Sequence, residues 1–238
     1  MEIKGFIDIS LVDWDGKISS VVFLAGCNLR CPFCYNVNLV LHPKKLPTIP
    51  FEQIGDRLKN KRGWIDGIVI TGGEPTIQSD LLELCKRIKE KGFLVKLDTN
   101  GTNPVMVKEL IDKKLVDYIA MDIKVPLTSE KFSKLCSDNV KILISKIGET
   151  IDLLLMDRVQ YEFRTTVVPG LHDERDIEEI CQRIKGCRKY ILQNYKGDVE
   201  TIDPKFKGLE LFSEEKIRAF LITAKKVVPN TKLRGSYT

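Results

Sequence analysis

The 238-residue sequence is poor in histidine, with only His42 and His172, and it has no long uncharged apolar segment. This scarcity argues against a histidine-based zinc hydrolase and against a Ser–His–Asp triad, because both need imidazole groups. The longest runs without a charged residue, 18–29 and 31–43, are shorter than the roughly 18 residues that a membrane-spanning helix needs. The sequence therefore predicts a protein without a membrane span, whose chemistry is not ordinary acid–base catalysis.

The N-terminus also lacks the pattern of a secretory signal, because Glu2, Lys4 and Asp8 interrupt any apolar segment there. We therefore expect a cytoplasmic protein that has no contact with membranes. In that compartment its seven cysteines are expected to be free thiols or metal ligands, as their odd number also indicates. The net charge of +5 is dispersed along the chain and is too weak to predict nucleic-acid binding.

Short apolar runs rich in β-branched residues alternate with amphipathic helical patterns along most of the chain. The predicted strands are residues 18–24, 67–71, 93–98, 116–122, 160–168 and 189–194. The predicted helices are residues 51–61, 81–88, 104–114, 140–155, 173–185 and 213–226. This alternation predicts an α/β fold with a parallel sheet, either a partial (β/α)6 TIM-like barrel or an open doubly wound sheet. Either fold places the chemistry at the carboxyl ends of the strands.

No linker, repeat or low-complexity tract divides the sequence. We therefore interpret residues 1–238 as a single domain, with a core at about 18–195 and a C-terminal helix and extension at about 209–238. The stretch 201–208 is interpreted as a long loop rather than as a domain boundary.

The strongest functional signal is a set of three cysteines directly after the first predicted strand, with the spacing C-x₃-C-x₂-C: Cys27, Cys31 and Cys34. Three thiolates from one loop can hold three irons of a cubane iron–sulfur cluster, which leaves the fourth iron open for catalysis. Two alternatives remain open. The cysteines could form a Cys₃His zinc site with His42, or they could be buried core residues.

Polar motifs follow the next three predicted strands, and they are Gly72-Gly73-Glu74, Asp98-Thr99-Asn100 and Asp122-Ile123-Lys124. The two glycines allow a sharp turn and a close approach to a ligand, and Glu74 can accept a hydrogen bond from an ammonium group. A simple strand-to-helix turn explains the same residues. Asp122 and Lys124 lie two apart on a strand, so both side chains can reach one polar ligand, although a solvated ion pair is the alternative.

In this order, the motifs resemble those of the radical S-adenosylmethionine (SAM) enzymes. The match extends from about Lys4 to Asn194, and it is closest to the glycyl-radical-enzyme activases, particularly those of anaerobic ribonucleoside-triphosphate reductase. The resemblance implies that the three cysteines bind one [4Fe–4S] cluster whose open iron chelates SAM. Reduction of the cluster then cleaves SAM to methionine and a 5′-deoxyadenosyl radical.

The resemblance also assigns contacts with SAM. Phe33 is implied to lie beside the adenine, and the Gly-Gly-Glu motif is implied to meet the methionine amino group. The full set of implied SAM contacts is Phe33, Tyr35, Gly72, Gly73, Glu74, Asp98, Asp122, Lys124 and Tyr195. Relatives commonly carry histidine at the positions of Tyr35 and Tyr195. Asp98, Thr99 and Asp122 are implied ligands of a monovalent cation. Arg164 is a candidate to engage a carboxylate or a backbone carbonyl, and an ordinary arginine at a strand edge is the alternative.

The function implied is an oxidoreductase that abstracts a hydrogen atom from a glycine of a partner enzyme, with anaerobic ribonucleotide reductase as the expected partner. A flavodoxin or ferredoxin is the expected electron donor. The short chain favours this function, because an open barrel mouth admits a peptide loop. A radical SAM enzyme acting on a small molecule or on another protein is the alternative, and a zinc-stabilised nucleic-acid-binding module is a distant one. The remaining cysteines are expected to have no chemical role: Cys85, Cys136, Cys181 and Cys187.

Overall fold

In the computed structural model, which describes residues 2–59, 61–136 and 138–235, the chain forms an eight-stranded sheet. The strands follow one another across the sheet in chain order: β1 Ile3–Ser10, β2 Ser19–Leu24, β3 Gly67–Gly72, β4 Leu94–Thr99, β5 Tyr118–Asp122, β6 Gln160–Val167, β7 Tyr190–Asn194 and β8 Thr231–Arg234. β1 is antiparallel to β2, and all other neighbouring strands are parallel. The six predicted strands are therefore β2–β7, and the predicted partial (β/α)6 barrel is confirmed.

The connections between the parallel strands carry the helices, which cover one face of the sheet. The helices are α1 Val37–Leu41, α2 Phe51–Lys59, α3 Leu81–Glu90, α4 Pro104–Asp112, α5 Ser129–Phe132, α6 Val140–Leu155, α7 Glu174–Arg183 and α8 Glu214–Val227. In α3, the predicted apolar stripe is buried against the sheet, which explains why this segment folds as an amphipathic helix. None of the described helices is long and apolar enough to cross a membrane.

Two strands were not predicted, and both lie outside the predicted core of 18–195. β1 and β8 extend the sheet on its two sides. Their sequences contain Lys4, Asp8, Lys232 and Arg234 in addition to apolar residues, so neither run shows the clean apolar pattern of a central strand.

The inner face of the sheet, opposite the helices, is polar. Its apolar part is a small separate cluster of Trp14, Val21 and Val69. Because side chains alternate along a strand and neighbours in register share a face, charged residues on β4, β5, β6 and β8 share this face with the buried Ala120 and Ile191. The interior of this partial barrel therefore holds charges where a closed barrel packs branched apolar residues.

An ion-pair network around the buried Glu162 connects β8 to the inner face of the sheet. Glu162 is only 1% exposed and accepts hydrogen bonds from Arg234 Nη1 at 2.7 Å and Arg234 Nη2 at 2.9 Å. Lys189 Nζ lies 2.9 Å from the same carboxylate. Asp15, in the loop between β1 and β2, also accepts from Lys189 and Arg234 at 2.7 Å each. Although burial opposes it, the two cations lower the pKa of Glu162 to about 2.

Candidate active site

The sequence motifs meet in one cleft at the carboxyl ends of the parallel strands. All three cysteines of the C-x₃-C-x₂-C motif line this cleft, as do eight of the nine predicted SAM contacts. The ninth, Tyr195, lies behind the cleft wall. The parallel topology produces this convergence, because it brings the ends of β2–β6 to one edge of the sheet.

The cysteine loop leaves β2 through Gly26, which adopts a φ of 75° and donates its amide to Leu39 O at 2.8 Å. Cys34 N donates to Cys31 O at 3.0 Å, which forms a tight turn between the second and third cysteines. Burial raises the pKa of Cys27 to about 11 and that of Cys31 to about 12. Formation of these thiolates therefore needs a bound metal, since metal binding displaces the thiol protons.

The donor set suits an iron–sulfur cluster better than a single zinc ion. Within the described residues, no three Cys, His, Asp or Glu side chains converge closely enough to hold one metal ion. His42, the fourth ligand of the alternative zinc site, is exposed at the end of α1 and does not line the cleft. Three thiols around one cleft match the three protein ligands of a [4Fe–4S] cluster with an open iron.

The two glycines at the end of β3, Gly72 and Gly73, allow this strand to contact the start of the cysteine loop. Gly73 N donates to Leu24 O at 3.0 Å, and Glu74 N donates to Gly26 O at 2.8 Å. A Cβ on Gly73 would lie 1.7 Å from Gly26 O, and Gly72 has a φ of 118°. Glycine is therefore required at both positions, whether or not a ligand also approaches.

Glu74 is buried and connects the end of β3 to the end of β4. Its Oε1 accepts hydrogen bonds from Thr76 N at 3.0 Å, Thr76 Oγ1 at 2.6 Å and Thr99 Oγ1 at 2.7 Å. Its Oε2 accepts one hydrogen bond, from Asn100 N at 2.6 Å. Burial raises the pKa of Glu74, and these hydrogen bonds oppose the rise. Since Oε2 keeps a lone pair, the predicted contact with an ammonium group stays open.

An amide network that was not predicted connects the cysteine loop to β4. Asn100 Nδ2 donates to Asn28 Oδ1 at 3.0 Å and lies 3.9 Å from Cys27 Sγ. Asn28 Nδ2 donates to Thr102 Oγ1 at 2.8 Å, which in turn donates to Asn100 Oδ1 at 2.6 Å. Donors near a ligand sulfur tune the potential of an iron–sulfur cluster, so Asn100 and Asn28 are candidate functional residues. The Asn-Gly pair after β4 was the available sequence signal.

Two carboxylates and three cations lie side by side at the ends of β4, β5 and β6. Arg164 donates from Nε to Asp122 Oδ1 at 2.8 Å and from Nη1 to Asp98 Oδ2 at 3.2 Å. Lys124 Nζ donates to Asp122 Oδ2 at 3.2 Å. Lys96 Nζ lies 3.4 Å from Asp98 Oδ1. Although burial opposes it, Arg164 and Lys124 lower the pKa of Asp122, so this carboxylate is charged at neutral pH.

His172 fixes the backbone of Lys124 from behind the site. Val168 N donates to His172 Nδ1 at 3.0 Å, so the network assigns the ring proton to Nε2, which donates to Lys124 O at 2.8 Å. Burial lowers the pKa of His172. The ring is therefore neutral and acts as a structural support for Lys124.

Of the three aromatic residues among the predicted SAM contacts, two line the cleft and one does not. Phe33 and Tyr35 line it. Tyr195 stacks on Tyr35, with ring centroids 5.5 Å apart and planes at 28°, and its hydroxyl donates to Phe206 O at 2.7 Å. The direct contact of Tyr195 with SAM stays a prediction, as do the other SAM contacts.

Comparison with known proteins identifies the family. The model of the radical SAM superfamily matches residues 21–184. A protein of Methanocaldococcus jannaschii is 39% identical over 98% of this chain and 95% of its own length, and it is provisionally named a glycyl-radical enzyme activating enzyme. This chain belongs to the radical SAM superfamily. The predicted family is thus confirmed, and the zinc-stabilised nucleic-acid-binding module is not supported.

Two further proteins match most of this chain. The pyruvate formate-lyase-activating enzyme of Clostridium pasteurianum is 27% identical over 87% of this chain and 90% of its own length. The crystal structure of Streptococcus suis SuiB bound to the precursor peptide SuiA superposes with a TM-score of 0.69. At 14% identity, covering 91% of this chain and 48% of SuiB, it shows the fold alone. Membership of the radical SAM superfamily implies a [4Fe–4S] cluster and SAM, and the cysteines for the cluster are present.

Proposed function

We propose that this radical SAM protein installs a radical on a glycine of a partner enzyme, with anaerobic ribonucleoside-triphosphate reductase as the candidate partner. The similarity to the Methanocaldococcus jannaschii relative over nearly the full length of both chains carries this proposal. The match to a pyruvate formate-lyase-activating enzyme over most of both chains supports it. The choice of partner rests on the sequence resemblance, and a flavodoxin or ferredoxin is the proposed electron donor.

Cys27, Cys31 and Cys34 would hold the [4Fe–4S] cluster. When bound, the cluster supplies one electron that splits SAM into methionine and a 5′-deoxyadenosyl radical, which takes one hydrogen atom from the glycine to leave 5′-deoxyadenosine and a glycyl radical. The protein supplies binding, orientation and exclusion of side reactions. Because the cluster binds thiolates, its assembly displaces the thiol protons of the three cysteines.

The charged group at the ends of β4–β6 suits the polar parts of SAM. We propose that Lys124, held by Asp122 and His172, binds the methionine carboxylate. Asp122 and Asp98 offer acceptors to the ribose hydroxyl groups and the methionine ammonium. Because Arg164 bridges both carboxylates, it fixes them in position for SAM. Although burial opposes it, Arg164 also lowers the pKa of Asp122.

The monovalent cation has less room than the sequence implied. Three of the four carboxylate oxygens of Asp98 and Asp122 accept hydrogen bonds from Arg164 or Lys124. The fourth, Asp98 Oδ1, is buried and accepts no hydrogen bond from the described residues, but Lys96 Nζ lies 3.4 Å away. We propose that any cation there binds through Asp98 Oδ1 and competes with Lys96.

The test is anaerobic reconstitution followed by electron paramagnetic resonance (EPR) of the reduced protein, with and without SAM. The proposal expects a cubane signal that changes with SAM, formation of 5′-deoxyadenosine, and a glycyl radical on added ribonucleotide reductase. Cys31→Ser should abolish cluster assembly, and Cys181→Ser, a buried thiol outside the cleft, is the matched control. SAM cleavage without a glycyl radical would favour the small-molecule alternative, and stoichiometric zinc with no cluster would refute the proposal.

A further inference from the structure

The segment that follows β7 lies against the outer side of the cysteine loop. We call residues 195–206 the strap. Ile202 N donates to Cys34 O at 3.2 Å, and Asp203 N donates to Pro32 O at 2.9 Å. Because these are backbone hydrogen bonds, they attach the strap to the cysteine loop at two points next to Cys34, and this attachment does not depend on the side chains of the strap. This contact was not predicted from the sequence, because its partners are about 170 positions apart along the chain.

Aromatic rings of the strap contact the two aromatic residues of the cysteine loop. The Phe206 ring lies 6.5 Å from the Phe33 ring, and Tyr195 stacks on Tyr35 at 5.5 Å. Tyr195 Oη donates to Phe206 O at 2.7 Å, and Lys196 N donates to Tyr35 Oη at 2.6 Å. Each aromatic ring that lines the cleft therefore has a strap ring behind it.

The strap has internal hydrogen bonds that fix its own shape. Thr201 Oγ1 donates to Asp203 O at 2.8 Å, and the Asp203 side chain caps the short 3₁₀ turn Pro204–Phe206. Gly208 N donates to Gly197 O at 2.7 Å and closes the base of the segment. These hydrogen bonds thus fix the backbone that carries the Phe206 ring.

We propose that the strap positions the nucleoside end of SAM, with Phe206 and Tyr195 acting through Phe33 and Tyr35. This inference rests on the proposed binding of SAM in the cleft. Tyr195 and Phe206 do not line the cleft, so they are positioning residues. The polar groups proposed for the methionine end, such as Lys124, are on other strands, and they should be unaffected by changes in the strap.

The test compares SAM with methionine, which lacks the nucleoside, in binding to the reconstituted protein. In Phe206→Ala the dissociation constant for SAM should rise up to about tenfold, as expected for loss of one aromatic pair, while that for methionine is unchanged. Phe206→Tyr should restore SAM affinity. Tyr195→Phe, which removes only the hydroxyl group, should raise the dissociation constant for SAM about threefold. Iron and sulfide content should match the wild type in all three variants.

Phe212→Ala is the matched control, because it removes a ring that packs edge-on against Phe220 of α8 instead of against the cysteine loop. It should leave both dissociation constants within twofold of the wild type. Equal weakening of SAM and methionine, loss of the cluster in Phe206→Ala, or unchanged SAM affinity would each overturn the role of the strap. If Phe206→Ala does not fold, the smaller change Tyr195→Phe still decides the question. Failure of the wild type to bind SAM would instead refute the proposed function.

Discussion

Removal of the Arg234 guanidinium should destabilise the protein strongly, because it leaves the buried Glu162 with one cation instead of two. We consider Arg234→Met, which keeps most of the side-chain volume. In the folded protein the pKa of Glu162 is about 2, against an ordinary value of 4.5. That difference corresponds to about 3 kcal/mol of stability at neutral pH, of the same order as the cost of breaking a buried ion pair.

Since Lys189 still contacts Glu162 in the variant, we expect a loss of about 2 kcal/mol, or a fall in Tm of roughly 4–8 °C for a chain of this size. The assay is urea denaturation of the metal-free protein, with Lys232→Met as control. Lys232 lies two residues away on β8 but is exposed, so its replacement should change the free energy of unfolding by less than about 0.5 kcal/mol.

The pH dependence of the free energy of unfolding gives an independent check on the role of the Glu162 ion pair. Because the folded-state pKa of Glu162 is depressed, its contribution is fully present above the unfolded-state value near 4.5 and is lost as the pH falls toward 2. The difference between wild type and Arg234→Met should therefore be largest at neutral pH and shrink below pH 4.5. A loss equal to that of the Lys232 control, or a difference that does not change between pH 7 and pH 3, would refute the assignment of β8 stability to this ion pair.

Three further changes test the site. Gly73→Ala should lower the free energy of unfolding by about 3 kcal/mol and reduce the iron content, because its Cβ would overlap a carbonyl oxygen of the cysteine loop. The control Gly148→Ala, inside α6, should be neutral or slightly stabilising. Equal melting temperatures of the two variants would contradict this prediction. In His172→Gln, the urea midpoint should fall less between pH 7 and pH 5 than it does in the wild type. The depressed pKa of the buried imidazole stabilises the wild type above about pH 6.5, and this stability is lost at lower pH. Equal falls in the two proteins would exclude this role of His172. Arg164→Gln should weaken SAM binding at least tenfold while the cluster stays intact. Arg164→Lys should restore the affinity only in part, because lysine lacks the guanidinium that donates to both Asp98 and Asp122. An unchanged affinity measured by calorimetry would show that this bridge between the two carboxylates is dispensable.

The central fold and the location of the site could be predicted because their signals are local. Each inner strand is a short apolar run, and each motif lies at the end of a strand or just after it. The parallel topology alone therefore brings Cys27, Glu74, Asp98 and Asp122 to one edge. The edge strands could not be predicted in the same way. β8 depends on the pairing of Arg234 with a glutamate 72 positions earlier, which no local window contains.

Within the site, the sequence identified which residues carry chemistry but not which neighbours each of them contacts. Glu74 was expected to meet a ligand, and the structure shows that most of its acceptor capacity is used by Thr76, Thr99 and Asn100. The contact of Tyr195 with SAM stays a prediction, and the structure adds that its ring stacks on Tyr35. Hydrogen-bond and ring partners depend on side-chain orientation, which spacing along the chain does not determine.

The sequence by itself determined the cysteine spacing, the order of the strand-end motifs and the apolar periodicity, and these were enough to predict a partial barrel with a radical SAM site at the carboxyl ends of its strands. Only the tertiary structure decided that Arg164 bridges two carboxylates, that an amide network reaches Cys27, and that the strap contacts the cysteine loop. The physical reason is the distance along the chain over which each kind of signal acts. Periodicity and turn chemistry act over a few residues, whereas each of these contacts joins residues at least 42 positions apart, and only the packed sheet brings such residues together.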